Sequence, residues 1–267
     1  MGTRNLSDAL AAPARLARRM GAMGRAWWRV RNEEIDGLTA ASQALHRMAA
    51  GLSADNGLVI ERRGPLPPPG CLVVSNHVSY VDTLVVPSLL PCTCIAKREV
   101  ADWPVIGSMA VRLGVLFVDR DSPYSGAVVL RRARRALEAG IAVVAFPEGT
   151  TTSGDGVLPF RRGVFELARQ LGTPVVAAAL RYTDRDVAWT GDTRFVDHYV
   201  RSLARRRRTV VQLSLSAPFD PGASASGAAL AREVRAYICD QLARGHRAAV
   251  AEIRPASPPA VCTAPIR

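Results

Sequence analysis

The sequence predicts an α/β fold: a mixed, largely parallel sheet flanked by helices, with an N-terminal helical membrane-surface segment. Three observations predict it. Short apolar runs such as CLVVSN (71–76), IAVVAF (141–146) and TPVVAAAL (173–180) alternate with longer stretches of helical periodicity, the pattern of βα units. Apolar residues make up 48% of the chain, which excludes disorder. No uncharged apolar run approaches the ~20 residues of a spanning helix, so apolar segments must be covered by the chain itself or by a surface.

The elements follow in order. Residues 1–31 hold Arg4, Arg15, Arg18, Arg19, Arg25, Arg29 and Arg31 against one acid, Asp8. Leu16, Met20, Met23, Trp27 and Val30 recur at alternating spacings of four and three, one face of a helix. A basic amphipathic helix ending in Trp27-Trp28 is the kind that lies in a lipid interface. Pro13, Gly21 and Gly24 divide it into two shorter helices. An arm packed on its own domain is the other reading, and an organelle transit peptide ranks below both. Residues 33–50 predict a second helix, and residues 57–63 an edge strand. Four prolines between Gly64 and Gly70 then lead stiffly into the core.

From residue 71 the strand candidates are 71–76, 114–120, 141–146, 173–180 and 209–216. The helix candidates are 81–90, 104–113, 125–140, 164–171 and 228–245, with Gly140 as an end cap. The organisation read from this is a helical segment over 1–56, a catalytic domain over 57–250 and a disordered, proline-rich tail over 251–267.

The 267 residues carry 35 Lys+Arg against 23 Asp+Glu, a net charge of +12. Such a charge attracts any polyanion. A nucleic-acid-binding protein is a rival reading, but no zinc-finger, RRM or recognition-helix pattern is present. Lys97 is the only lysine among the 35 basic residues. A GC-rich genome accounts for the arginines; against them the lone ammonium group raises the question of whether that site needs one. Five cysteines, with no signal peptide, predict reduced cytosolic thiols, and Cys92-x-Cys94 lacks a second pair at zinc spacing.

The sharpest local feature is Asn76-His77-Val78-Ser79-Tyr80-Val81-Asp82, directly after a buried strand. With His77 in the turn and Asp82 in the first helical turn, the carboxylate can orient a histidine base. No nucleophile elbow or activated cysteine accompanies them, so the base would activate a hydroxyl belonging to a substrate. A second feature, Phe146-Pro147-Glu148-Gly149-Thr150-Thr151, follows another apolar strand, and its small residues can bare backbone N–H groups to an oxyanion or phosphate. It leads into Pro159-Phe160-Arg161-Arg162-Gly163. A third, Phe117-Val118-Asp119-Arg120, ends its own strand. In open α/β sheets the carboxyl ends of strands carry the ligand site, so these three belong to one pocket.

The set resembles the glycerolipid acyltransferase family typified by 1-acylglycerol-3-phosphate O-acyltransferase. The family's N-H-x-x-x-x-D block is matched by Asn76, His77 and Asp82. Its G-x-x-F-[VI]-x-R strand is matched by Gly114, Phe117 and Arg120, and its F-P-E-G-T block by Phe146 to Thr150. A fourth, apolar block is matched loosely by Thr173 to Leu180. Lys97 and the Pro104/Gly107 pair are also similar, and the resemblance spans roughly residues 57–220.

The resemblance implies an O-acyltransferase of phospholipid biosynthesis that moves a fatty acyl group from a thioester to a lysophospholipid hydroxyl. The implied acceptor is 1-acylglycerol 3-phosphate, with lyso-ornithine lipid or glycerol 3-phosphate as alternatives. His77 would be the base and Asp82 its orienting partner. Lys97, Arg120, Gly149, Thr150 and Arg161 would bind the acceptor, and Glu148 would orient Arg120 or an acceptor hydroxyl. No cofactor is implied; acyl-CoA or acyl carrier protein would be co-substrate. The implied partners also include an anionic membrane surface, with the protein peripheral on the cytoplasmic face of the cell membrane. Thr151 departs from the family by standing where many members have arginine, which leaves Arg161 or Arg162 to supply that charge. The fourth block is also poorer in proline, and the long apolar N-terminal helix common in the family is missing.

Overall fold

One strand, buried on both faces, sits at the middle of the sheet and delivers the His77 turn. A computed structural model describes residues 11–119, 121–191, 193–203 and 206–253. In chain order the strands are β1 (Leu58–Arg63), β2 (Leu72–Ser75), β3 (Cys92–Lys97), β4 (Leu116–Val118), β5 (Ala142–Ala145), β6 (Val175–Tyr182) and β7 (Thr209–Leu215). Their spatial order is β1-β7-β6-β2-β5-β3-β4. Neighbours are parallel except β6 and β7, which are antiparallel. Both β2 and β5 are buried at every residue, as continuous apolar runs must be when helices cover both faces.

The helices are α1 (Ala12–Asn32), α2 (Gly37–Asp55), α3 (Asp82–Val85), α4 (Ile106–Arg112), α5 (Pro123–Glu138), α6 (Gly163–Leu171), α7 (Phe195–Arg201) and α8 (Gly227–Ile253). They form two layers. Val30 of α1, Leu45 of α2, Val85 of α3, Met109 of α4 and Tyr199 of α7 share one core with Val73 and Val144 of the sheet. Val129 of α5, Phe165 of α6 and Leu230 of α8 share the other with Leu72, Val74 and Val143. The alternation of neighbouring strand residues between the two cores is the period-two geometry of a strand.

The largely parallel α/β sheet is as expected, and two elements are additional. β3 is not separable from its surroundings in sequence, because Cys-Thr-Cys-Ile lies between Pro91 and a charged stretch. α7, at seven residues, is too short for its periodicity to stand out from a loop. The helix expected over 33–50 starts later, at Gly37, and continues through Gly51 to Asp55. It does so because Ala41, Ala44, Leu45, Ala49 and Leu52 form one buried stripe. α8 runs on to Ile253; the remainder of the expected tail, 254–267, lies outside the described residues.

The approach to α4 is strained. Val105 has φ 65° and ψ −58°, and the Ile106 N–H donates to the Pro104 carbonyl at 2.7 Å. This is a γ-turn at a β-branched residue, a conformation that costs about 1–3 kcal/mol. Gly107 follows because a Cβ there would lie 2.1 Å from the Ala101 carbonyl oxygen.

α1 is a single helix through Gly21 and Gly24, and one face of it is packed on the domain. Ala22 and Val30 are buried, and Leu16, Met23 and Trp27 pack against the core. Arg19 belongs to the same face and is only 1% exposed. Its guanidinium donates to the carbonyls of Asn56 (2.7 Å), Arg206 (2.8 Å) and Leu203. Five donors in a fixed fork suit three convergent carbonyls. Met20, at the edge of that face, and Trp28, beyond it, are exposed. Among the described residues no helix is long and apolar enough to cross a membrane. Arg19→Met should leave those carbonyls without their donor and cost about 2–4 kcal/mol. Urea denaturation of the variant and parent checks this, with a lower midpoint at unchanged slope expected.

Candidate active site

The site begins where β2 ends. Asn76 is fully buried, and its side-chain amide continues the β2–β6 ladder by one step. Its Nδ2 donates to the Leu180 carbonyl at 2.9 Å, and its Oδ1 accepts from the Leu180 N–H at 2.8 Å. The next residue, His77, is thereby released into a turn while β2 stays anchored.

His77 Nδ1 lies 2.8 Å from Asp82 Oδ2, with Asp82 the first residue of α3. This is the turn-plus-first-helical-turn arrangement that the five-residue spacing requires. The Asp82 carboxylate has no exposure to water. A buried charge is tolerated only when donors surround it, and here they do. Oδ2 also accepts the N–H groups of Val78 (2.6 Å) and Ser79 (2.9 Å), while Oδ1 accepts the Tyr182 hydroxyl at 2.6 Å. The His77 ring stacks on Phe146, with centroids 4.3 Å apart. Nδ1 is committed to Asp82, which leaves Nε2 as the ring nitrogen available for chemistry.

Glu148, in the loop after β5, holds the same turn from the other side. Its Oε1 accepts the His77 N–H at 2.7 Å and its Oε2 the Leu158 N–H at 2.7 Å. Burial pushes its carboxyl above the usual carboxylate range, opposed by those two backbone donors. Glu148 does not line the cavity described below. Each of its two oxygens thus holds a peptide N–H of the site's own loops. Thr152 completes the turn by donating its N–H to the His77 carbonyl at 2.9 Å.

His77 opens onto a cavity of about 660 Å³. Its walls come from both core layers, since Leu45 and Met48 of α2 line it together with Val129 of α5 and Val164 of α6. Its rim carries the polar groups. Lys97 lies at the carboxyl end of β3 and pairs with Glu99 at 2.6 Å. Gly149, Thr150 and Arg161 line the cavity as well. Gly149 has φ 76°, and a Cβ there would lie 2.9 Å from Arg161 Nε; glycine is what lets the guanidinium lie against the loop. Arg162 is not on the cavity wall, so Arg161 is the arginine that reaches it. Thr151 donates its hydroxyl to the Trp189 carbonyl. Arg120 lies outside the described residues. Among the described residues, no three or more His, Cys, Asp or Glu side chains could hold a metal ion.

The sheet order explains the convergence. β2, β5 and β3 are neighbours, so their ends place His77, the Glu148-Gly149-Thr150 loop and Lys97 side by side. Two parts of the site are not evident in sequence. One is Tyr182, the last residue of β6, which no local spacing connects to Asp82. Its place at a strand's carboxyl end is the available signal. The other is an aromatic wall of Tyr80, Trp103, Trp189 and Phe195, whose rings meet at 4.7–5.7 Å. Behind it the Tyr80 hydroxyl bonds His198 Nδ1 at 3.0 Å, and His198 Nε2 donates to the Ala188 carbonyl. Burial lowers the pKa of His198, which fits a neutral, structural ring.

A histidine held by a buried carboxylate on the wall of an apolar cavity, on this sheet, is an arrangement that suits an acyltransferase. The chain belongs to the acyltransferase family. The family's model, described as Acyltransferase, matches residues 59–181. A 1-acyl-sn-glycerol-3-phosphate acyltransferase of Neisseria gonorrhoeae is 33% identical over 222 residues, 82% of this chain and 86% of that one. A lyso-ornithine lipid O-acyltransferase of Pseudomonas aeruginosa is 32% identical over 224 residues, 81% of this chain and 86% of that one. The crystal structure of the 1-acyl-sn-glycerophosphate acyltransferase PlsC of Thermotoga maritima shares the fold. Its TM-score is 0.61 at 19% identity, over 94% of this chain and 96% of that one.

Asn76→Ala should strand both backbone groups of Leu180 in the core and destabilise the protein by about 2–4 kcal/mol. Denaturant titration measures the loss. Asn76→Asp should recover only part of it, because its second oxygen would face the Leu180 carbonyl.

Proposed function

We propose that this protein transfers a fatty acyl group from an acyl thioester to the free hydroxyl of a lysolipid, with 1-acylglycerol 3-phosphate as acceptor. The observation that carries the proposal is the His77–Asp82 pair at the rim of an apolar cavity. The acceptor hydroxyl gives its proton to His77 Nε2 as its oxygen attacks the thioester carbonyl. Asp82 stabilises the imidazolium, which returns the proton to the departing thiolate. A positioned base of this kind is worth about 10²–10⁴-fold. The apolar walls take the acyl chain. Arg161 and Lys97 face the acceptor's phosphate, Arg161 with the bidentate geometry suited to it. Arg120, two positions beyond the last residue of β4 in sequence, belongs to the same acceptor set. The donor is acyl-CoA or acyl carrier protein, and the reaction needs no bound cofactor.

A second acceptor, lyso-ornithine lipid, is favoured by one observation. Thr151 stands in the arginine's place with its hydroxyl turned to the Trp189 carbonyl, so that position offers no cation to a phosphate. The lyso-ornithine lipid O-acyltransferase of Pseudomonas aeruginosa is a relative over most of the chain. The protein works on the cytoplasmic face of the membrane, bound peripherally through the exposed face of α1. Met20 and Trp28 supply the apolar contact there, and neighbouring arginines the attraction to anionic lipid.

A thiol-release assay with palmitoyl-CoA and a panel of lysophosphatidate, glycerol 3-phosphate and lyso-ornithine lipid tests the reaction and ranks the acceptors. His77→Ala should lower kcat about 10²–10⁴-fold with unchanged circular dichroism; a variant as fast as the parent would refute the mechanism. The Met20→Ser/Trp28→Ser double variant should bind phosphatidylglycerol vesicles more weakly in sedimentation, with its denaturation midpoint kept. Equal sedimentation would reject the α1 contact.

A further inference from the structure

We propose that Tyr182 is a positioning residue of the acyl transfer, holding Asp82 so that His77 meets the acceptor hydroxyl as a neutral, correctly turned base. The inference rests on the reading of His77 as general base. It starts from the distribution of donors around one buried carboxylate. Oδ2 of Asp82 takes three of them: His77 Nδ1, Val78 N–H and Ser79 N–H. Oδ1 takes the Tyr182 hydroxyl, at 2.6 Å, and no other group among the described residues. The three contacts on Oδ2 fix that oxygen; the phenol fixes the rotation of the carboxylate about it.

Tyr182 suits this role because of where it stands. It ends β6, its backbone is in register with Val211 of β7, and it is buried. Burial, and next the Asp82 charge, push its phenol well above the ordinary range, which keeps the hydroxyl a donor to that carboxylate. Neither Tyr182 nor Asp82 lines the cavity. The hydroxyl therefore acts on the substrate only through Asp82 and His77.

The proton path stays simple. The acceptor's proton goes to His77 Nε2, the Nδ1 proton stays on the ring facing Oδ2, and the phenolic proton stays on Tyr182. The hydroxyl contributes by drawing charge from Asp82. With the hydroxyl gone, the carboxylate stays ionised through its three remaining donors, and the imidazolium is held by a less dispersed negative charge. His77 would then carry its proton to higher pH, where it is no use as a base. Among the described residues, the other ionisable groups around the dyad are Glu148 from the loop after β5, Tyr80 with His198 behind it, and Lys97, Glu99, Arg161, Cys94 and Tyr199 on the cavity wall. None of these bonds Asp82, so they leave the difference between variant and parent unchanged.

The test is the pH profile of kcat/KM for Tyr182→Phe, with palmitoyl-CoA and the acceptor that the parent uses best. At neutral pH kcat should fall about tenfold while both KM values stay within about twofold. The acid limb should move up by about half a unit or more, so that raising the pH recovers part of the loss. His77 imidazole resonances, identified by their absence from His77→Ala, should titrate at correspondingly higher pH. Incorporation of 3-fluorotyrosine at Tyr182, a stronger donor of nearly the same shape, should move the limb the other way, and serves if Tyr182→Phe does not fold. A profile that superimposes on the parent's after scaling, or a His77 titration unmoved in both variants, overturns the proposal. Full activity of His77→Ala is a separate result, and overturns the general-base reading instead.

Discussion

Asp82 is a charge that the fold must keep out of water and still keep ionised. A lone buried carboxylate costs several kcal/mol, so its four donors are a condition for the structure. They come from three places: the turn itself, the His77 ring and the end of β6. Those places converge only if β6 lies beside β2, and the Asn76 amide on Leu180 enforces that neighbour one step earlier. On the other flank Glu148, after β5, takes the His77 N–H. The exit of β2 is held between its two neighbours by carboxylate and amide contacts to backbone. The order β6-β2-β5 at the centre of the sheet is thus the arrangement the site requires.

The same constraint, a buried charge that must find its partners, governs the N-terminal helix. α1 contributes Met23 to the cavity wall and Arg19 to the carbonyls of three residues in two other segments. A guanidinium is weakly hydrated for a cation and carries its donors in a plane, so it can close such a gap where an ammonium would not span it. One face of the helix is core; Met20 at its edge and Trp28 beyond it are exposed. The reading of this segment as an arm packed on its own domain describes the core face.

Much of this is legible in sequence, for physical reasons that differ residue by residue. His77 and Asp82 are legible because a turn between strand and helix brings residues five apart together. The Phe146–Thr150 loop is legible because an apolar strand stops there and small residues begin. Tyr182 is not, since its partner is a hundred positions away and only the sheet order joins them. Arg19 is hidden among seven arginines of the first 31 residues, because residue type does not reveal which cation is buried. Glu148 is legible as a member of the site, but its hold on two backbone N–H groups is not, since those donors belong to residues 77 and 158. β3 escapes because Cys-Thr-Cys carries little strand signal, and with it the placement of Lys97 at a strand end. Arg120 lies outside the described residues.

The attachment of Glu148 to backbone has a consequence for how such a protein can change over generations. His77 is held through its own N–H, its Nδ1 and the ring of Phe146. None of these contacts uses the side chains of Thr150, Thr151 or Arg161, which line the cavity. The hold on the His77–Asp82 pair and this stretch of the cavity wall are therefore written in separate sets of residues. Drift at a position such as Thr151 can reshape the cavity wall without touching the contacts that hold His77. A lineage built this way can vary its cavity by single substitutions while the histidine–carboxylate pair keeps its geometry.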